Sequence, residues 1–222
     1  MKEWTAYVRT GMGGGFAGLL LAGCASTLPA PTLKISSADT TYVKVISVKQ
    51  PVGIVMTQIA FGGVIPQVIN DSTPSESQRF YELVKDDPRT QALEQLLRDR
   101  VIAEAKSAGI TLQDGQDLDL TALKSNQQVI VLRGFSTYYF ARTIAHRYTP
   151  YASTQIESSR DPAIPLGQTR FARISTAHIE DNKYAFTGTN GVFRDPSVSM
   201  DGLTAATDEL AKQVAKDLSA AK

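Results

Sequence analysis

The chain has 222 residues, 23 lysines and arginines against 22 aspartates and glutamates, a net charge of +1, and one cysteine. Such a balance offers no electrostatic footprint for a nucleic acid or another polyanion, and one thiol excludes an internal disulfide framework. The length suits one domain with a sizeable core.

Residues 1–23 have the three parts of a secretory signal: a head carrying Lys2 and Arg9, a small apolar run from Gly11 to Ala22, and a small-residue end. A spanning helix needs roughly 20 apolar residues, and this run is shorter and broken by Gly11, Gly13, Gly14, Gly15 and Gly18. It ends in Leu21-Ala22-Gly23-Cys24, which resembles the lipobox of bacterial lipoproteins. The resemblance implies cleavage between Gly23 and Cys24 and acylation of the Cys24 thiol, with palmitate or a similar chain on the new amino terminus. Small side chains at Ala22 and Gly23 let an extended backbone enter a peptidase, and the thiolate is the nucleophile. Each buried methylene contributes about 0.8 kcal/mol, so several chains anchor far more firmly than one. Glu3 departs from the basic head, and the plain alternative is a buried structural cysteine. Ala25 and Ser26, rather than aspartate, follow the cysteine, which by the same resemblance directs the protein to the outer membrane, facing the periplasm. The signal takes with it two of the basic residues, one of the acidic ones and Trp4, the only tryptophan, leaving a balanced chain.

Residues 24–39, rich in Ser, Thr, Ala and Pro, read as a flexible tether, and 40–222 as a single periplasmic domain. The β-branched run Thr41 to Val48 predicts a first strand covered on both sides and ended by Pro51. From Gly53 to Asn70 the chain is apolar and glycine-bearing; this stretch is either a membrane-dipping or partner-binding hairpin, or a short core helix from Val55 to Phe61 with a glycine turn.

Thr73-Pro74 with Glu76 starts one helix, reaching about Lys85, and Asp87-Pro88 starts a second. The second carries Leu93, Leu97, Val101 and Ala105 four apart and closes at Gly109. Ile110 to Leu112 predicts a short strand parallel to the first. Asp114, Asp117 and Asp119 lack the alternate oxygen ligands and closing glutamate of a calcium loop and read as a solvated acidic turn.

Beyond Gln127 the period changes to two. Val129, Val131, Arg133, Phe135 and Thr137 alternate with Ile130, Leu132, Gly134, Ser136 and Tyr138; further strands follow at Tyr151 to Glu157, Phe171 to His178 and Tyr184 to Thr187, meandering antiparallel. After a glycine- and proline-containing loop, Asp201 caps a final helix with the stripe Leu203, Ala206, Leu210, Val214 and Leu218. The expected fold is α/β: a two-layer sandwich of a mixed, mostly antiparallel sheet packed by helices. Behind a lipobox, this order of elements looks like the small periplasmic domain of penicillin-binding-protein activator lipoproteins, the curli secretion lipoprotein and the amino-terminal domain of the Tol-Pal translocation protein. That resemblance implies a fold and no activity.

Chemistry is sparse. His146 and His178 lack partners at metal-ligand spacing, no Gly-x-Ser-x-Gly elbow or phosphate-binding loop occurs, and no cofactor or metal is expected. One constellation stands out: Tyr138, Tyr139, Phe140, Arg142, His146, Arg147, Tyr148 and Tyr151. Rings interleaved with arginine present large rigid area at low entropy cost, suited to a protein or cell-wall partner; the plain version is a hairpin whose tyrosines cover a sheet. The reading is a non-enzymatic binding or accessory module for an envelope component, with Tyr138, Tyr139, Arg142, Arg147, Tyr148 and Tyr151 as candidate contacts. Two alternatives stand beside it: a carrier of an apolar small molecule lined by Gly53 to Asn70, and a cell-wall-acting enzyme using Glu157 and Asp161. The anchor is tested directly. Cys24→Ser abolishes metabolic palmitate labelling and leaves the chain uncut and out of the diacylated pool; labelling that persists in the variant removes the lipobox.

Overall fold

The computed structural model describes residues 33–35, 39–57, 74–142, 147–159 and 167–221. The lipobox, most of the tether and the stretch from Gln58 to Asn70 lie outside the described residues, as do His146 and Asp161. The elements in order are β1 (Thr40–Thr57), α1 (Pro74–Val84), α2 (Pro88–Ser107), β2 (Leu112–Asp114), β3 (Gln127–Arg142), β4 (Arg147–Ser158), β5 (Arg170–His178), β6 (Phe186–Thr187), α3 (Thr189–Arg194) and α4 (Pro196–Ser219). The sheet runs β2-β1-β3-β4-β5, with β6 on β4. β1 pairs parallel with β2 and β3, and the β3–β4, β4–β5 and β4–β6 pairs are antiparallel. The helices pack on one face of this curled sheet, giving the expected two-layer α/β sandwich.

Two helix starts follow the local chemistry. Asp87 caps α2 by accepting from the Arg89 N–H at 2.8 Å, with Pro88 at the first helical position. The predicted stripe Leu93, Leu97, Val101 and Ala105 is buried, and α2 lies along α4. The ion pair Arg89–Asp201 (2.6 Å) bridges the two helices. The final helix begins earlier than its hydrophobic stripe suggests: Asp195, not Asp201, is the cap, accepting from Val198 N–H at 3.1 Å. The preceding loop also contains the short α3. No helix among the described residues is long and apolar enough to cross a membrane.

β1 departs from expectation. It does not end at Pro51; its register with β3 jumps from Ser47↔Phe135 to Val52↔Thr137, so Val48 to Pro51 loop out of the ladder. Pro51, which has no N–H to give, sits in that excursion, and the Thr137 hydroxyl donates to its carbonyl at 3.3 Å. Val55 to Thr57 are strand, so the helix predicted from Val55 does not start there. The expected two-sided cover is present: Val43 and Val45 face the helices, while Tyr42 and Ile46 pack with Val129, Val131 and Leu123 beneath the Leu118–Leu123 loop. In that loop Asp119 is a cap, accepting from Thr121 N–H at 2.9 Å.

The strict alternation read for β3 is broken at one residue. Gly134 has φ +67°, and the pairing with β4 shifts between Arg133↔Gln155 and Ser136↔Ser153. One extra residue in a strand reverses every side chain after it. Ile130 and Leu132 therefore share the helix-packed face with Phe135, Thr137, Tyr139 and Ala141, all buried. Tyr139 is the keystone of that face: its hydroxyl donates to the Ser199 carbonyl at 3.1 Å, and its ring meets Phe80 and Phe186 edge-on at 6.3 and 5.4 Å. α4 reaches it through Gly202, where a Cβ would collide with the Tyr139 hydroxyl, Pro150 and Tyr184.

The tether's end also differs. Leu33 and Ile35 pack on the core, the Ile35 N–H donates to Ala221 O at 3.3 Å, and buried Gln128 donates to Lys34 O at 2.5 Å. The last residues assigned to the spacer thus rest on the domain. Gly134→Val tests the bulge. Nothing lies within 4 Å of a Cβ there, so the loss is conformational, about 1–2 kcal/mol in a urea titration; an unchanged midpoint would mean that the positive φ is not required.

Candidate functional site

The reversal at Gly134 divides the aromatic stretch. Tyr139 is fully buried, and Tyr148 is 1% exposed on the same helix-packed face, where it pairs with Ala141. Neither offers a partner any surface, so these two candidate contacts are core residues, contrary to their reading as part of one exposed hairpin. Arg142 pairs through its backbone with Thr57, and its side chain lies outside the described residues. Arg147 is exposed, and its guanidinium donates to the Asn182 carboxamide oxygen.

Tyr138, Phe140 and Tyr151 point the other way and gather on the face opposite the helices. The register sets Tyr138 across from Tyr151, Phe140 across from Thr149, and Tyr151 across from His178 on β5. The rings touch: Tyr138–Tyr151 centroids are 5.0 Å apart, Phe140–Tyr151 5.6 Å, Tyr138–Phe140 6.3 Å and Tyr151–His178 6.1 Å. Burial among these neighbours pushes the Tyr138 phenol up to about 12, with a hydrogen bond to Ser153 acting in the opposite sense. His178 is positioned on both sides, its Nε2 2.7 Å from the Thr149 hydroxyl and its Nδ1 3.4 Å from Glu180. His178 belongs to this row, which sequence reading missed; the signal is its place on a strand two pairings away from Tyr138.

The same face changes character along the strands. At the Gln127 end, Val129 and Val131 are roofed by Leu118, Leu120 and Leu123. Next comes a polar belt: Arg133 Nε lies 2.8 Å from Glu157 Oε1, and Thr169 donates to Glu157 Oε2 at 2.6 Å. Ser136 and Ser153 follow, 3.4 Å apart, and then the rings. Glu157 is only 9% exposed and its oxygens are engaged, an arrangement suited to an ion pair and not to a free acid or base. On β5, Phe171 and Ile174 stand 45% and 60% exposed.

A second concavity, an open groove of about 750 Å³, lies between α1 and α3 and is lined by Gln78, Arg79, Glu82, Leu83 and Phe193, with the Arg79 guanidinium 5.2 Å over the Phe193 ring. No group of three or more metal-ligating side chains is found among the described residues.

The raised tyrosines have a pH consequence. Tyr138 and Tyr139 are both pushed up by burial, so the unfolded chain releases these protons at lower pH than the folded one. The Tyr138 contribution to stability is complete below about pH 10 and is lost as pH rises through about 12, and that of the more deeply buried Tyr139 is lost at higher pH still. The urea midpoint therefore falls between pH 9 and 11.5, and Tyr138→Phe flattens part of that fall; an identical slope in the variant would place Tyr138 in water.

No family model matches the chain, and no curated protein matches it. The chain is similar, at 12% identity and a TM-score of 0.37, to a crystal structure of an uncharacterized protein, the match covering 85% of this chain and 96% of that one.

Proposed function

We propose that the chain is an outer-membrane lipoprotein, held by a lipid on Cys24 at the periplasmic face, and that it is a non-enzymatic module binding another envelope component on the open face of its sheet. The observation that carries this is the gathering of Tyr138, Phe140, Tyr151 and His178 on a face that no helix covers among the described residues. The contrast with the other end of the same face supports it. There the fold places a loop over Val129 and Val131, whereas the rings have no such roof among the described residues. Aromatic side chains with hydroxyl and imidazole edges are the residues that concentrate binding energy at interfaces.

The position of the rings supports the same reading. Lys34 and Ile35 bond to Gln128 and to the end of α4, at the start of β3. Ten residues of strand at about 3.3 Å each place Tyr138 about 30 Å from that point. A lipid at the tether's far end would leave the ring row on the portion of the domain remote from its attachment. The enzyme alternative loses its first carboxylate to the Arg133 ion pair.

A photocrosslinking residue at Gln155, exposed on the open face across from Arg133 and Ile174 and separated from Tyr151 by Ser153 on that face, is expected to give a dominant adduct in cells. With Tyr138→Ser and Tyr151→Ser together the adduct falls about tenfold or more, since an aromatic contact contributes about 0.5–1.5 kcal/mol. An undiminished adduct in the double variant, with its melting temperature preserved, removes the open face as the binding surface.

A further inference from the structure

The point where the tether meets the domain fixes which end of the sheet lies next to the anchor. Leu33 stands nine residues after Cys24 and packs on the core beside Ile35, whose N–H donates to Ala221 O. Gln128, at the start of β3, donates to Lys34 O at 2.5 Å. However those nine residues are arranged, they span at most about 30 Å. A lipid on Cys24 therefore keeps this end of the domain within reach of the bilayer surface.

The elements that meet at this end each bring a lysine. The ion pairs Arg89–Asp201 and Arg100–Asp208 set α2 and α4 running in the same direction, so their C-termini lie together. Lys106 is in the last turn of α2, just before β2 pairs with the start of β1. Lys216 is in the last turn of α4, its carbonyl accepting from the Ala220 N–H at 3.1 Å. Lys124 closes the turn into β3, its carbonyl accepting from the Gln127 N–H at 3.0 Å, and Lys34 is held to the next residue, Gln128. All four lysines are exposed, and none makes an ion pair among the described residues, whereas Lys85 and Lys212 pair with Glu82 and Glu209. The nearby carboxylates are engaged or turned elsewhere. Asp217 holds Arg173 and Ser175, Glu104 faces Lys212, and Asp39 is half-buried. Asp117 and Asp119 flank Leu118 in the loop over the open face. Lys106 and Lys216 complement the carbonyl ends of their helices, but Lys34 and Lys124 end no α-helix, so helix dipoles do not account for the set.

We infer that this end of the domain is a membrane-contact surface, with Lys34, Lys106, Lys124 and Lys216 resting on the anionic phosphate headgroups of the bilayer that holds the lipid. This rests on the reading above that Cys24 is acylated, and adds to the anchor a second contact that orients the domain. Two independent observations select the occupant. The leash brings this end to a lipid surface, and a chain whose charges nearly cancel gathers unpaired cations there. Each lysine close to an anionic surface strengthens association about fivefold, over a Debye length of about 10 Å at 0.1 M salt. The contact stands the sheet upright on the membrane and presents the ring row at its other end.

The test places the full chain, purified from membranes, in vesicles of phosphatidylcholine alone or of an equal mixture of phosphatidylcholine and phosphatidylglycerol. Acetylation of each lysine by a soluble reagent is then followed by mass spectrometry. In the anionic vesicles Lys34, Lys106, Lys124 and Lys216 react about fivefold or more slowly than in the neutral ones. Lys85 and Lys183, by the starts of α2 and α4, keep their rates. Salt at about 1 M, where the Debye length is about 3 Å, restores the neutral rates. Lys124→Glu with Lys216→Glu restores them at Lys34 and Lys106, with the melting temperature retained. The proposal is overturned by equal rates in the two vesicles, by slowing that extends to Lys85 and Lys183, or by slowing that survives the salt, which would make a protein the occupant. A chain that does not float with phosphatidylcholine vesicles removes the lipid on Cys24 instead. The basic end then falls as well only if that chain also fails to float with the anionic mixture at about 10 mM lipid, where four lysines alone hold a measurable fraction.

Discussion

The architecture depends on one residue that breaks the period of a strand. β3 is central, bonded to β1 on one side and β4 on the other, and it is long enough to serve two different layers. Before Gly134 its even positions face the helices, and after Gly134 its odd positions do. A strictly alternating strand would put Tyr138 and Phe140 under α4 and turn Phe135, Tyr139 and Ala141 out to water. The positive φ at Gly134 costs a glycine little and most other residues about 1–2 kcal/mol. That local constraint is small beside the burial of Phe135 and Tyr139, each of which removes a large apolar surface from water.

The neighbouring strands show how far the perturbation travels. β1 responds with its own irregularity, the excursion from Val48 to Pro51, after which Val52 and Ile54 take over the inward positions held earlier by Val43 and Val45. β4 keeps one parity throughout, Tyr148, Ala152, Thr154 and Ile156 all being buried, and it absorbs the extra residue by a bond from the Thr154 hydroxyl to the Arg133 carbonyl at 3.2 Å. The bulge thus belongs to β3, and the two flanking strands accommodate it in different ways. On the helix side the register is then fixed by contact with α4, where Gly202 admits the Tyr139 hydroxyl and the Ser199 carbonyl accepts from it. Slipping β3 by one residue would unmake that bond and expose the inward rings together, which specifies the register strongly.

Much of the fold was legible because its local signals agree with its tertiary demands. Asp87-Pro88 and the four-residue spacing from Leu93 to Ala105 identify α2, and the alternation in β4 and β5 identifies strands, since capping, propensity and burial all favour one answer there. The rest turned on features that pattern alone does not carry. Pro51 is a stop signal in isolation, and only a looped-out segment lets the ladder resume beyond it. Asp201 resembles a cap because it precedes the hydrophobic stripe, yet Asp195 and Pro196 begin the helix a turn and a half earlier. Gly134 was visible as a glycine inside a strand, a recognised mark of a bulge, but composition does not say that the parity changes there. With that parity unknown, six aromatic and basic residues read as one surface; the fold keeps Tyr138 and Tyr151 on it and withdraws Tyr139 and Tyr148 into the core.

The same sheet illustrates how one element can be finished in three ways. At the Gln127 end a loop closes over its open face, and in the middle Arg133, Glu157 and Thr169 satisfy one another. At the far end rings lean on rings at centroid distances of 5.0 to 6.3 Å. An ion pair formed this way, with a carboxylate 9% exposed and an arginine partner, gains little net stability after desolvation but is costly to break. It therefore acts more as a divider than as a bond. It stands between the closed end, where Val129 and Val131 lie beneath the loop, and the ring row of Tyr138, Phe140 and Tyr151.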